Sequence, residues 1–120
     1  MTEFFMNENG DIIKEAATVE DLVNWAKEYQ RKYFGETEAT ISIAISSEPG
    51  ERGCFKPTQK LIILPQPLTA FEKPCRILLL HEMVHVKLMN DNGDPDPDHG
   101  MRFKSEIKRL IKQGAYNNLL

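Results

Sequence analysis

Apolar residues recur at steps of three and four between residues 19 and 33. Val19, Leu22, Ala26, Tyr29 and Tyr33 share one face of a predicted helix, with Trp25 beside them. Thr18-Val19-Glu20-Asp21 reads as a capping box at its start, and Gly35 as its stop. The period then changes to two. From Ala39 to Ser46, Ile41, Ile43 and Ile45 alternate with Thr40, Ser42, Ala44 and Ser46, which predicts a half-buried strand. Glu48 to Gly53 reads as a turn or loop. Cys54-Phe55-Lys56 follows as a short second strand. Lys60 to Leu64 is a third, closed by Pro65 and Pro67. Proline cannot donate to a ladder, so this third strand is expected at a sheet edge. An edge there would offer unpaired backbone groups to an extended peptide.

A second helix is expected from Pro74 to about Asn90, with Asn92-Gly93 as its stop. A third opens at His99-Gly100, with Asp98 placed to cap it. Its apolar face is Phe103, Ile107, Leu110 and Ile111, and Gly114 ends it. The tail leucines, Leu119 and Leu120, are expected to fold back on the core. Residues 1–17 form either an arm or a short hairpin, since Asn9-Gly10 is a turn signal between Phe4-Phe5-Met6 and Ile12-Ile13. The fold class is therefore α+β: an N-terminal helix, a small three-stranded sheet with an edge strand, and two further helices. Residues 18–120 make one domain.

Composition narrows the function classes. A net charge of −3 argues against a general binder of nucleic acid or membrane surfaces. No apolar run approaches the roughly 18 residues of a membrane span. The acidic N-terminus does not read as a signal peptide. Two cysteines, Cys54 and Cys75, make no disulfide framework; both read as reduced thiols, small buried hydrophobes of a cytoplasmic protein.

The chemistry concentrates in Leu78-Leu79-Leu80-His81-Glu82-Met83-Val84-His85-Val86. On a helix, His81 and His85 project from one face and can share a zinc ion. Leu80, Val84 and Leu88 then supply the opposite, core-facing side. Glu82 lies about 100° around the helix, at the edge of such a site. From there it can take a proton from a water activated by zinc. A catalytic zinc needs a third protein ligand. Position 91 is Asp91 and position 88 is Leu88, which excludes the metzincin arrangement. His99 is the preferred third ligand. Glu106 is the alternative, and Asp91 and Asp94 are less suited. Asp94, Asp96 and Asp98 alternate as in a calcium loop, but the sixth and twelfth positions are His99 and Ser105 rather than Gly and Glu, so the default is a solvated acidic loop. Arg102, Lys104, Lys108, Arg109 and Lys112 make the exposed face of the last helix basic, which suits the helix dipole or a phosphate backbone.

His81-Glu82-Met83-Val84-His85, thirteen further residues and then His99-Gly100-x-x-Phe103 resemble the SprT-like metallopeptidase domain, which includes the Spartan proteases. Gly53-Cys54-Phe55 and Leu61-Ile62-Ile63-Leu64-Pro65-Gln66-Pro67-Leu68 resemble the strand that leads into that family's active-site helix. The likeness spans roughly residues 20–112. It implies a compact zincin-like fold, a Zn2+ ion held by His81, His85 and His99, and Glu82 as catalytic acid and base. It also implies protein substrates associated with DNA, with Lys104, Lys108, Arg109 and Lys112 as candidate contacts. The zinc ribbon that often follows in the family needs four cysteine-type ligands, and this chain has two cysteines.

The expected activity is thus zinc-dependent peptide-bond hydrolysis on a protein or peptide. Tyr116 and Arg102 are candidates to stabilise the oxyanion. Two other readings stand beside it: a non-catalytic, zinc-stabilised binding module, and a zinc amidohydrolase acting on a small amide or a cell-wall peptide.

Overall fold

The computed structural model of the chain describes the backbone of residues 5–6 and 12–13, and residues 16–35 and 41–120 in full. Phe5–Met6 (β1) pairs antiparallel with Ile12–Ile13 (β2), Phe5 opposite Ile13. The expected Asn9-Gly10 turn lies outside the described residues, as do Ala39 and Thr40. Among the described residues the architecture is α+β, with three α-helices and a three-stranded mixed sheet.

Val19–Tyr29 (α1) begins at the capping box read in the sequence. The Thr18 hydroxyl accepts from the Asp21 N–H at 3.1 Å, and the Asp21 carboxylate accepts from the Thr18 N–H at 2.9 Å. Leu22, Ala26 and Tyr29 are buried along one face. Tyr29 leads into a wider π-helical turn, Gln30–Phe34, which carries Phe34 into the core. Gly35 ends it at φ +79°, a conformation in which a Cβ is unfavourable.

The sheet corrects one expectation. Ser42–Ser46 (β3), Cys54–Lys56 (β4) and Leu61–Pro65 (β5) lie in the order β3-β5-β4. The Leu61–Leu64 segment is the central strand, not an edge. It pairs in parallel with β3, Ile62 opposite Ile43, and antiparallel with β4, Ile62 opposite Phe55. The proline signal misled because Pro65 occupies the last position of β5, where one lost donor leaves the preceding N–H groups free to pair. Ile62 and Leu64 accordingly have no exposed surface. The edge nearest the histidines belongs to β4.

Glu72–Asn92 (α2) crosses this sheet. It starts two residues before Pro74, which stands in the first turn, where an N–H has no intrahelical partner to lose. Gly93 terminates it at φ +74°. Leu79, Leu80, Met83 and Val84 are essentially fully buried, so the middle of α2 presents a broad apolar face to the core. Arg76 lies over the Trp25 ring, 4.2 Å from its centroid, and donates to the Tyr29 hydroxyl at 3.1 Å, tying α2 to α1.

Met101–Gln113 (α3) returns beside α2, burying Phe103 and Leu110; Ile111 is half exposed. Beyond Gly114, Ala115 and Tyr116 are buried and Leu119 packs on the core, while Leu120 stays 86% exposed, so the tail is only partly folded back as expected. No helix among the described residues is long and apolar enough to cross a membrane.

Gly53 sets how closely β4 approaches α2. It has φ +91°, and a Cβ there would stand 2.7 Å from Leu78 Cδ2. Gly53→Ala is expected to cost about 1–3 kcal/mol, from backbone strain and from the shift forced on Leu78. Urea unfolding of the two proteins measures it, and an unchanged midpoint would contradict this close approach.

Candidate metal centre

Three side chains meet where α2, β4 and the loop before α3 converge. His81 and His85 lie one turn apart on α2, ring centroids 5.1 Å from each other. His99 comes from the loop, with its centroid 4.7 Å from His81 and 5.0 Å from His85. One nitrogen from each ring lies within 4.8 Å of the others, a cluster able to hold a metal ion. The His85 and His99 Nε2 atoms are 3.2 Å apart. Two nitrogens bound tetrahedrally at ~2.05 Å stand roughly 3.3 Å apart, so the His85–His99 pair already has the spacing of two ligands on one small divalent ion.

The hydrogen bonding of His85 decides which nitrogen is available. Its Nδ1–H donates to the Pro95 carbonyl at 2.6 Å. That bond places the proton on Nδ1 and leaves the Nε2 lone pair facing the cluster. The expectation made no use of Pro95, because a backbone carbonyl carries no residue-type signal.

The loop reaches back by an unusual backbone. Asp96 and His99 both have positive φ, +53° and +56°, a region that Asp and His tolerate better than most residues. The Asp96 N–H donates to Asp94 Oδ1 at 2.9 Å, and the His99 N–H donates to the Asp96 carbonyl at 3.0 Å. Asp96 Oδ2 accepts from the Phe103 N–H at 3.2 Å, satisfying a donor in the first turn of α3. Asp98 was expected in that role, yet Gly100 is the residue flanking the helix and no side chain caps it from that position. The chain turns between Asp96 and Gly100, so the carboxylate further back in sequence is the one that reaches the helix.

The other candidate ligands are committed elsewhere. Glu106 accepts from Arg109, Nη2 to Oε2 at 2.8 Å, and lies 3.9 Å from Lys87. Asp91 pairs with Lys87. Asp94 holds the Asp96 N–H. Of the basic residues on α3, Arg102, Lys104, Lys108 and Lys112 are exposed, while Arg109 is held by Glu106 and Gln113.

A cavity of about 480 Å³ opens in front of the imidazoles, walled by Gly53, Cys54, Phe55 and Pro57 on one side and by Pro95 and Pro97 on the other. Tyr116 and Arg102 do not line it. Cys75 is a buried thiol as expected, but Cys54 is only half buried and faces this cavity. Burial, reinforced by the Glu51 and Glu82 charges, pushes the Cys54 thiol up, so it stays protonated at neutral pH. Gly53 was the available signal for this wall, since glycine beside a strand often marks close backbone approach.

Burial also sets the charge states. It lowers His81 to about 4, helped by the neighbouring His85 and His99, and it lowers His85 against the opposing Pro95 hydrogen bond. Both rings are therefore neutral and able to donate lone pairs at pH 7. Glu82 is buried and raised to about 7 by loss of solvation. Its Oε1 lies 4.0 Å from His81 Nε2. A carboxyl with that pKa can exchange protons near neutrality.

Comparison with known protein families, with curated proteins and with solved structures finds no match to this chain.

Two outcomes follow for metal-depleted and metal-titrated protein. Glu82 favours the fold fully below its ordinary value of 4.5, and that contribution is lost as pH rises through about 7. In chelator-treated protein Glu82→Gln should therefore raise the urea midpoint at pH 8 and leave it nearly unchanged at pH 4; a gain of equal size at both would contradict the burial argument. In calorimetric titration with zinc, His99→Ala should lose more than the ~10–100-fold that removal of an outer partner costs. Glu106→Gln should bind as the unaltered protein does, and the reverse ranking would exchange their roles.

Proposed function

We propose that this chain is a zinc-dependent metallopeptidase of the SprT-like, zincin kind. The observation that carries this reading is the convergence of His81, His85 and His99 beside the buried Glu82, at a cavity walled by a strand edge. Imidazole nitrogens suit zinc, and a catalytic zinc keeps one position free of protein ligands. Among the described residues no fourth His, Cys, Asp or Glu joins the cluster. That favours a catalytic site over a binding module, whose structural zinc would be closed by four side chains.

When bound, zinc supplies a Lewis acid that lowers the pKa of water toward ~7 and polarises a carbonyl. Glu82 takes the proton of the attacking water and hands it to the leaving amine. The Pro95 carbonyl holds the His85 ring in one tautomer throughout. The substrate lies extended along β4, whose outer edge has no strand beside it among the described residues, rather than along the central β5. A strand edge beside the site supports a peptide over a small amide. A phosphate backbone brought to α3 would meet Lys104, Lys108 and Lys112, since Arg109 is engaged by Glu106.

Zinc-loaded protein incubated with a quenched-fluorescence peptide library should cut internal bonds. Glu82→Gln should slow cleavage by about 10²–10⁴-fold while the zinc content stays at one ion per chain. Undiminished cleavage by that variant would remove Glu82 from the mechanism. Zinc binding with no cleavage of any peptide would favour the binding module.

A further inference from the structure

Phe103 is the only described residue outside the triad whose ring contacts all three imidazoles. Its centroid lies 4.8 Å from His81, 4.7 Å from His85 and 4.4 Å from His99. It is 6% exposed and does not line the cavity onto which the histidines open. The imidazoles therefore have solvent space on one side and a benzene ring on the other. Phe103 is itself held, through its N–H to Asp96 Oδ2 at 3.2 Å and through its place in the first turn of α3.

We propose that Phe103 is a positioning residue of the metal site. It supports the three rings from behind and keeps water from the rear of the ion. Each histidine has torsional freedom about its side-chain bonds, and a metal site needs all three aimed within a fraction of an ångström. One flat side chain packed on all three limits that freedom together. An apolar ring offers no ligand atom and fills the volume a rear water would need. A further ligand would then come from the cavity between the Gly53–Pro57 wall and Pro95–Pro97. The consequence is selectivity. The site takes an ion content with four neighbours, such as zinc or cobalt(II), in preference to ions that demand six, such as magnesium. This inference rests on metal binding by the triad and not on peptidase activity.

Cobalt(II) is the probe, because its visible absorption is intense in four-coordinate sites and weak in six-coordinate ones. The unaltered protein should give the intense form. Phe103→Ala should bind cobalt about 10–100-fold more weakly, with its absorption falling toward the weak form. Phe103→Leu, which refills most of the volume, should recover the intense form. If the alanine variant does not fold, Phe103→Val gives the same shift in smaller measure. Leu110→Ala serves as the control: Leu110 is fully buried on the same helix, away from the cavity lining, so its loss should weaken the fold and leave the spectrum intact. A folded Phe103→Ala or Phe103→Val protein with unaltered affinity and spectrum overturns the proposal. So does an equal spectral change in Leu110→Ala. Failure of the unaltered protein to take up cobalt or zinc would instead remove the metal reading on which the proposal stands.

Discussion

The three imidazoles are held together by a contact between two segments that are distant along the chain. His81 and His85 come from one helix and need only its pitch to be neighbours. His99 must be brought back across the whole acidic loop, and its ring meets theirs within 5.0 Å. Three bonds do this: Pro95 accepting from His85, Asp96 accepting from the Phe103 N–H, and the His99 N–H returning to the Asp96 carbonyl. Asp96 and His99 sit in the left-handed region to allow it. Such strain persists only where surrounding bonds hold it, and it gathers at functional sites.

Electrostatics then follow from packing. α2 is buried through its middle, where Glu82 and His85 are taken out of water and His81 loses much of its solvent. His81 and His85 respond by staying neutral, which leaves lone pairs free for a cation. Glu82 responds in the opposite direction, because burial penalises its charged form. A divalent ion would supply the positive charge that this pocket lacks, and would bring Glu82 back toward its ionised form.

The sheet matters chiefly for the edge it leaves. β5 in the middle carries the buried Ile62 and Leu64, against which α2 packs. β4 is left outside with only three residues, and Gly53 lets it press against Leu78. A short edge strand resists unwanted pairing with other chains, yet it still offers a few backbone groups beside the histidines.

Much of this was legible along the chain. The helical period over residues 19–33, the alternation after Ala39 and the His-Glu-x-x-His spacing are local properties, and local rules read them. The capping box at Thr18 and the helix stops at Gly35, Gly93 and Gly114 are equally local. Nearest-neighbour geometry could likewise say that His81 and His85 share a face. What it could not say was which strand lies in the middle, because strand order depends on long-range pairing and a proline reports only its own missing donor. It could not choose Asp96 over Asp98 as the partner of α3, since the turn between them is settled by where His99 must go. Nor could it place Phe103 behind three rings or the Pro95 carbonyl beneath one. Apart from the Phe103–His99 pair, those contacts join residues 10–22 positions apart, and only the packing of α3 and its preceding loop against α2 brings them within reach.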